Sequence, residues 1–145
     1  LEEMAPEERE EVSGLLEYKE DSAAGRMNTE FIALPIAATA NEAVEALRRF
    51  EGGIETVSTI FLVDSHQTLA GAIPLIKLVL APSYAPLLGL TQEPLISCDA
   101  DASDKEVAEL FDKYNLLTLP VVDDRKRLTG IITADDVISL LREKL

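Results

Sequence analysis

The chain carries one pattern twice, and an internal repeat of this size limits the folds open to it more than any other feature. The first stretch reads Thr39-Ala-Asn-Glu-Ala-Val-Glu-Ala-Leu47, then Ile60-Phe-Leu-Val-Asp64, then Leu69-Ala-Gly-Ala-Ile73. The second reads Ser103-Asp-Lys-Glu-Val-Ala-Glu-Leu110, then Leu119-Pro-Val-Val-Asp123, then Leu128-Thr-Gly-Ile-Ile132. Asp64 and Asp123 stand 59 positions apart, as do Gly71 and Gly130. Val44 and Val107 stand 63 apart, so about four extra residues lie in the first copy, near Glu51 to Thr59.

Each copy gives the same local signals. A short strand comes first, Phe31–Leu34 or Leu95–Ser97. A helix follows, opened by a capping box in which a hydroxyl and a carboxylate satisfy free helix-start N–H groups: Thr39 with Glu42, and Ser103 with Glu106. Val107, Leu110, Phe111 and Tyr114 recur at the spacing of one helical face. Two β-rich runs then flank a polar turn, Val57–Val63 with Leu69–Ile73, and Leu117–Val122 with Arg127–Ile132. A second helix closes each copy; in the second it runs from Ala134 to Lys144, with Val137, Ile138, Leu140 and Leu141 expected to face inward.

A small sheet with helices on one face leaves its other face bare, and two copies packed sheet to sheet would cover it. The expected fold is therefore α+β, a β-α-β-β-α unit used twice with pseudo-two-fold symmetry. The expected divisions are 1–27, a helical end plus linker; 28–86, the first copy; and 87–145, the second. Within the first division, Pro6 and the acids after it read as a helix start, and Glu20 to Met27 as a short helical linker.

Composition adds exclusions. Apolar residues make up 47% of the 145, enough for a core, but aromatics are only 5% and Trp is absent, so that core is aliphatic. The formal charge is −14, which repels phosphate backbones and argues against nucleic acid as a partner while attracting cations. One cysteine, Cys98, allows no internal disulfide and fits a reducing compartment. No signal-peptide pattern opens the chain, and it does not begin with Met, which reads as a piece of something longer. The most apolar stretch, Leu69–Leu90, is interrupted by Pro74, Lys77, Pro82 and Pro86 and does not read as a membrane span.

These residues resemble a known family. Leu128-Thr-Gly-Ile-Ile-Thr-Ala-Asp-Asp136 looks like the end of a CBS motif, and Leu119-Pro-Val-Val-Asp123 like the strand before it. More narrowly, Glu20-Asp-Ser-Ala-Ala-Gly-Arg-Met27 is similar to the segment that enters the CBS pair of MgtE-type magnesium transporters. Pro6-Glu-Glu-Arg9, Glu55–Ile60 and Phe111–Pro120 are similar to that family as well. The resemblance implies a tandem CBS pair and a homodimer at the cytoplasmic face of the cell membrane. That module would sense Mg²⁺ and gate a membrane transport domain outside this chain, with no enzymatic activity of its own. Carboxylates brought together repel, and a hard divalent cation bridges them through oxygen and water.

Two candidate sites follow. In CBS proteins that bind adenosine nucleotides, the Thr of the segment Gly130-Ile-Ile-Thr133-Ala-Asp-Asp136 meets phosphate at a helix start and its last Asp holds the ribose hydroxyls. Gly130, Thr133 and Asp136 are the candidates here, and Thr133 with Asp136 is equally a plain helix cap. The first copy has Pro74 and Lys77 at the matching positions, and neither can do this work. For Mg²⁺ the candidates are Asp136, Asp21 and Glu20. Asn115 and Ser139 stand where the family often has Asp. Glu17, Asp123 and Asp124 read individually as solvated carboxylates, His66 as an exposed turn residue, and Cys98 as a small core residue. The alternatives to a magnesium-sensing module are a nucleotide-binding CBS module using Thr133 and Asp136, and a structural dimerisation unit.

Overall fold

A computed structural model describes residues 21–53 and 57–144. Helix α1 (Ala23–Arg26) leads into β1 (Ala33–Pro35), α2 (Ala40–Arg49), β2 (Thr59–Val63), β3 (Leu69–Pro74) and α3 (Leu75–Leu80). A 3₁₀ turn, Leu87–Leu90, precedes the second copy: β4 (Cys98–Asp99), α4 (Asp104–Tyr114), β5 (Thr118–Val122), β6 (Leu128–Thr133) and α5 (Ala134–Lys144). Each copy builds one three-stranded sheet, ordered β1-β2-β3 or β4-β5-β6, with the first pair parallel and the second antiparallel. Leu62 lies opposite Gly71 and Val121 opposite Gly130, and both ladders shift register at the next residue. The repeat seen in the sequence is thus a repeat in register.

The central strands show why two copies are needed. Ile60 and Leu62 pack under the helices with Ala43, Ile73 and Leu78; Leu119 and Val121 do the same with Val107, Phe111 and Val137. Successive strand residues point to opposite faces. Yet the alternate residues Phe61 and Val63, and Val122 in the second copy, are buried too. A strand buried on both faces needs a cover on each, and the second cover is the other sheet. Ser58 Oγ and Thr118 Oγ1 meet across that junction at 2.7 Å.

The copies also exchange the segments that lead into them. The N–H groups of Ala23 and Ala24, which precede the first copy, donate to the carbonyls of Ala102 and Ala100 in the second, each at 2.8 Å. Both alanines lie in the second copy's core. Leu87, which precedes the second copy's strands, donates to the carbonyl of Ala38 at 3.0 Å and is fully buried in the first copy's core.

Several local expectations shift. The first strand begins at Ala33 rather than Phe31, although the Ile32 carbonyl still accepts from the Phe61 N–H. The strand expected over Leu95–Ser97 is instead Cys98–Asp99. The cause is Pro120, which stands at the position equivalent to Phe61 and has no N–H to hold an earlier residue. On α5, Val137 and Leu140 are buried as expected, but Ile138 and Leu141 are half exposed. They lie on the flank of a helix covering a small sheet, beyond the width of its apolar stripe. The first copy's longer connection is present, with 50–58 joining α2 to β2 where 115–117 suffice in the second.

Candidate functional site

The Thr133–Asp136 segment turns from β6 into α5. The Thr133 N–H donates to Asp136 Oδ2 at 2.9 Å, and the Asp136 N–H donates to Thr133 Oγ1 at 3.3 Å. Both halves of a capping box are made, so both side chains serve the helix start. Each keeps capacity beyond that: the Thr133 hydroxyl proton and the second Asp136 oxygen remain for a ligand hydroxyl or phosphate.

Gly130 has a different local reason. A Cβ there would lie 2.5 Å from Met27 Sδ and 2.9 Å from the Asn28 carbonyl oxygen. Residues 27 and 28 run directly over β6, and Asn28 and Ile131 exchange two backbone hydrogen bonds of 2.9 Å. The glycine lets the approach segment close the sheet edge. Gly71 repeats this arrangement against Thr91.

The first copy's counterpart is a cleft of about 220 Å³ between the copies. Its polar lining comes from Ser58, Thr59, Gln92, Asn115 and Thr118, and Pro74 stands where the second copy has Thr133. No charged side chain lines it. A phosphate there would meet no cation from the lining, and Lys77 is exposed on α3 outside that lining. In the first copy Pro74 and Lys77 offer neither a hydroxyl nor a carboxylate at the positions of Thr133 and Asp136. Asn115 also has a backbone task. It ends α4 in the left-handed conformation, φ 53° and ψ 48°, which Asn tolerates better than most residues.

Of the expected cation ligands, Asp136 and Asp21 lie among the described residues. Asp136 is half-buried in its cap. Asp21 is exposed, and its carbonyl accepts from the Asp104 N–H at 3.1 Å at the start of α4. Glu20 and Glu17 lie outside the described residues. Among the described residues no three His, Cys, Asp or Glu side chains are placed to hold a metal ion. Asp123 is engaged: it accepts from the N–H groups of Arg125 and Arg127 at 2.9 Å and from Arg127 Nε at 2.7 Å. Burial opposes its ionised form, but those hydrogen bonds prevail and hold its carboxyl below the usual range. Asp64 repeats the turn in the first copy, held low by the N–H groups of Thr68 and His66. His66 is exposed in that turn. Cys98 is buried, and burial, with Asp99 and Glu106 nearby, pushes its thiol up to about 12. A protonated buried thiol and a solvated turn histidine supply no nucleophile and base.

One cluster escaped the sequence reading. The guanidinium of Arg26 pairs with Asp104, the first residue of α4, and with Glu143 near the end of α5. Its only sequence signal is an Asp in the first turn of α4, at a position where an acid is common for helix-dipole reasons alone.

The CBS domain family pattern matches residues 89–143. The magnesium transporter MgtE of Thermus thermophilus is 35% identical over 136 residues, which is 94% of this chain and 30% of that protein. The MgtE of Bacillus subtilis is 30% identical over 97% of this chain and 31% of its own length. The chain thus spans about a third of the curated relatives it matches. The crystal structure of the cytosolic domain of the Mg²⁺ channel MgtE in complex with ATP is 34% identical, with a TM-score of 0.82 over 94% of this chain and 55% of that one. No helix among the described residues is long and apolar enough to cross a membrane. The doubled unit, the capped Thr133–Asp136 turn and the likeness across nearly the whole chain lead to one statement: this chain is a CBS-domain pair of the MgtE type.

Proposed function

We propose that the chain is the cytosolic regulatory module of a magnesium transporter, sensing Mg²⁺ and passing its state to a membrane transport domain outside this chain. The observation that carries this reading is the likeness to MgtE cytosolic structure, which takes in the approach segment as well as both CBS copies. A module that relays motion needs two packings with different cation affinity. Since no three ligands meet among the described residues of one chain, Mg²⁺ would bridge Asp136, Asp21 or Glu20 to carboxylates of another element or another copy.

Exposed apolar side chains on α3 and α5 support pairing with a second copy. Ile76, Val79 and Leu80 of α3 and Tyr84 after it are between 65% and 79% exposed, and Ile138 and Leu141 of α5 add half-exposed apolar surface. Large apolar side chains in such number on short helices mark an interface. We assign it to a homodimer. Sedimentation of the chain with and without Mg²⁺, at ionic strength matched with K⁺, tests this. A dimer that V79E or L80E converts to monomer supports the assignment; a wild-type monomer at all concentrations and both salts contradicts it.

The second reading, an adenosine nucleotide at Thr133 and Asp136, is favoured by the unused hydrogen-bonding capacity of those two side chains. It predicts stabilisation by AMP or ATP that T133V reduces.

A further inference from the structure

Arg26 is the last residue of α1, a helix of four residues that cannot persist without outside support. Its Nε and Nη2 meet Asp104 Oδ1 and Oδ2 at 3.3 and 3.2 Å, a two-pronged pair with a carboxylate whose side chain is 9% exposed. Its Nη1 meets Glu143 Oε2 at 2.9 Å. One cation therefore joins three elements: the approach segment, the first turn of α4 and the last turn of α5.

The two acids differ in what they need from it. Asp104 at a helix N-terminus already lies beside the positive end of the helix dipole. Glu143 lies at the negative end of α5, where an acid is unfavourable unless a cation stands close. The apolar anchors of α5, Val137 and Leu140, lie earlier in the helix, and Leu141 and Arg142 are exposed. The pairing with Arg26 thus ties the last turn of α5 to the segment by which the chain enters the fold.

We propose that Arg26 is a positioning residue that couples the approach segment 22–28 to the last turn of α5, so that the places where the chain enters and leaves the CBS pair are held or released together. This does not depend on Mg²⁺ binding and applies equally if the module reads a nucleotide.

Amide hydrogen exchange on the whole chain, resolved by residue, tests it. The reporters are the N–H groups of Ala23, Ala24 and Asn28, each bonded to a carbonyl of the second copy, and those of Leu141 to Glu143. E143Q removes an exposed charge and leaves the core and the Arg26–Asp104 pair in place. It is expected to speed exchange at Ala23, Ala24 and Asn28 by about two- to five-fold, the range for loss of one exposed pair. R26Q is expected to speed exchange at both ends by about tenfold, since it also breaks a partly buried pair. At 1 M salt, where charges are screened within about 3 Å, the E143Q difference should shrink toward none. If E143Q alters only α5, or R26Q loosens only residues 22–28, the two ends are not coupled and the proposal is overturned.

Discussion

Thr68 and Arg127 hold equivalent positions in the two copies, and each is the other's partner in an isolated antiparallel bridge. Around them the Leu69 N–H donates to the Lys126 carbonyl and the Leu128 N–H to the Gln67 carbonyl, both at 3.0 Å. A residue paired with its own repeat equivalent lies on the symmetry axis, so the pseudo-two-fold axis passes between the two hairpin turns. The turns that end each sheet are thereby part of the junction between sheets.

The two motif glycines are predicted to differ in tolerance. G130A places a Cβ against the Asn28 carbonyl, which is backbone paired to β6 and cannot yield without breaking that pairing. A loss of about 1–3 kcal/mol is expected from such overpacking. G71A presses closely on the Thr91 methyl, with the Leu62 side chain at ordinary contact distance, and meets no backbone atom, so it should cost less. G89A has open space around it and should be near neutral. Urea midpoints of the three variants check this order.

Leu87 should matter to the copy it does not precede. L87A is predicted to cost about 2–5 kcal/mol, as for other buried leucines. In the whole L87A chain, amide exchange should speed more at the Phe61 N–H of the first copy than at the Ala100 N–H of the second. Equal speeding at both would remove the argument for exchanged approach segments.

The repeat, the helix caps and the paired β runs were legible because each rests on local chemistry: capping pairs, β-rich runs and polar turns at fixed spacing. The exchange of approach segments was not. Leu87 reads as apolar whichever core receives it, and nothing near Ala23 names its partners Ala100 and Ala102. Ile138 and Leu141 were misplaced because periodicity gives a helix's apolar side but not the width of the sheet beneath it. At the candidate site, the Thr133–Asp136 pair was readable from spacing. The role of Gly130 depended on Met27 and Asn28, about a hundred residues earlier in the chain, and could not be read locally.

Stability is predicted to fall in acid partly through Asp123. Its carboxyl sits below the unfolded value in the fold, held by Arg127 and Arg125 against the cost of burial. Its contribution is therefore fully present above the unfolded value of about 3.9 and is lost as pH falls through the lower folded value. D123N should narrow the gap between urea midpoints at pH 7 and pH 3 relative to wild type. An unchanged gap would mean that the turn hydrogen bonds do not favour the ionised form.

Cys98 should resist thiol reagents in the native chain. Burial and the neighbouring acids push its thiol up to about 12, so almost no thiolate exists at pH 8. Labelling should track unfolding in urea. Fast labelling without urea would show that the second copy's core opens readily.

The central claim, that the module responds to Mg²⁺, is tested most directly by the thermal unfolding midpoint as Mg²⁺ rises from zero to the order of tens of millimolar, against K⁺ at matched ionic strength. A ligand that binds only the folded state stabilises it by about 2.7 kcal/mol at a hundredfold excess over Kd. The account predicts a midpoint that climbs with Mg²⁺ well beyond matched K⁺, and a D136A variant whose midpoint starts lower, from the lost cap, and climbs less. Equal responses to Mg²⁺ and K⁺ would contradict it.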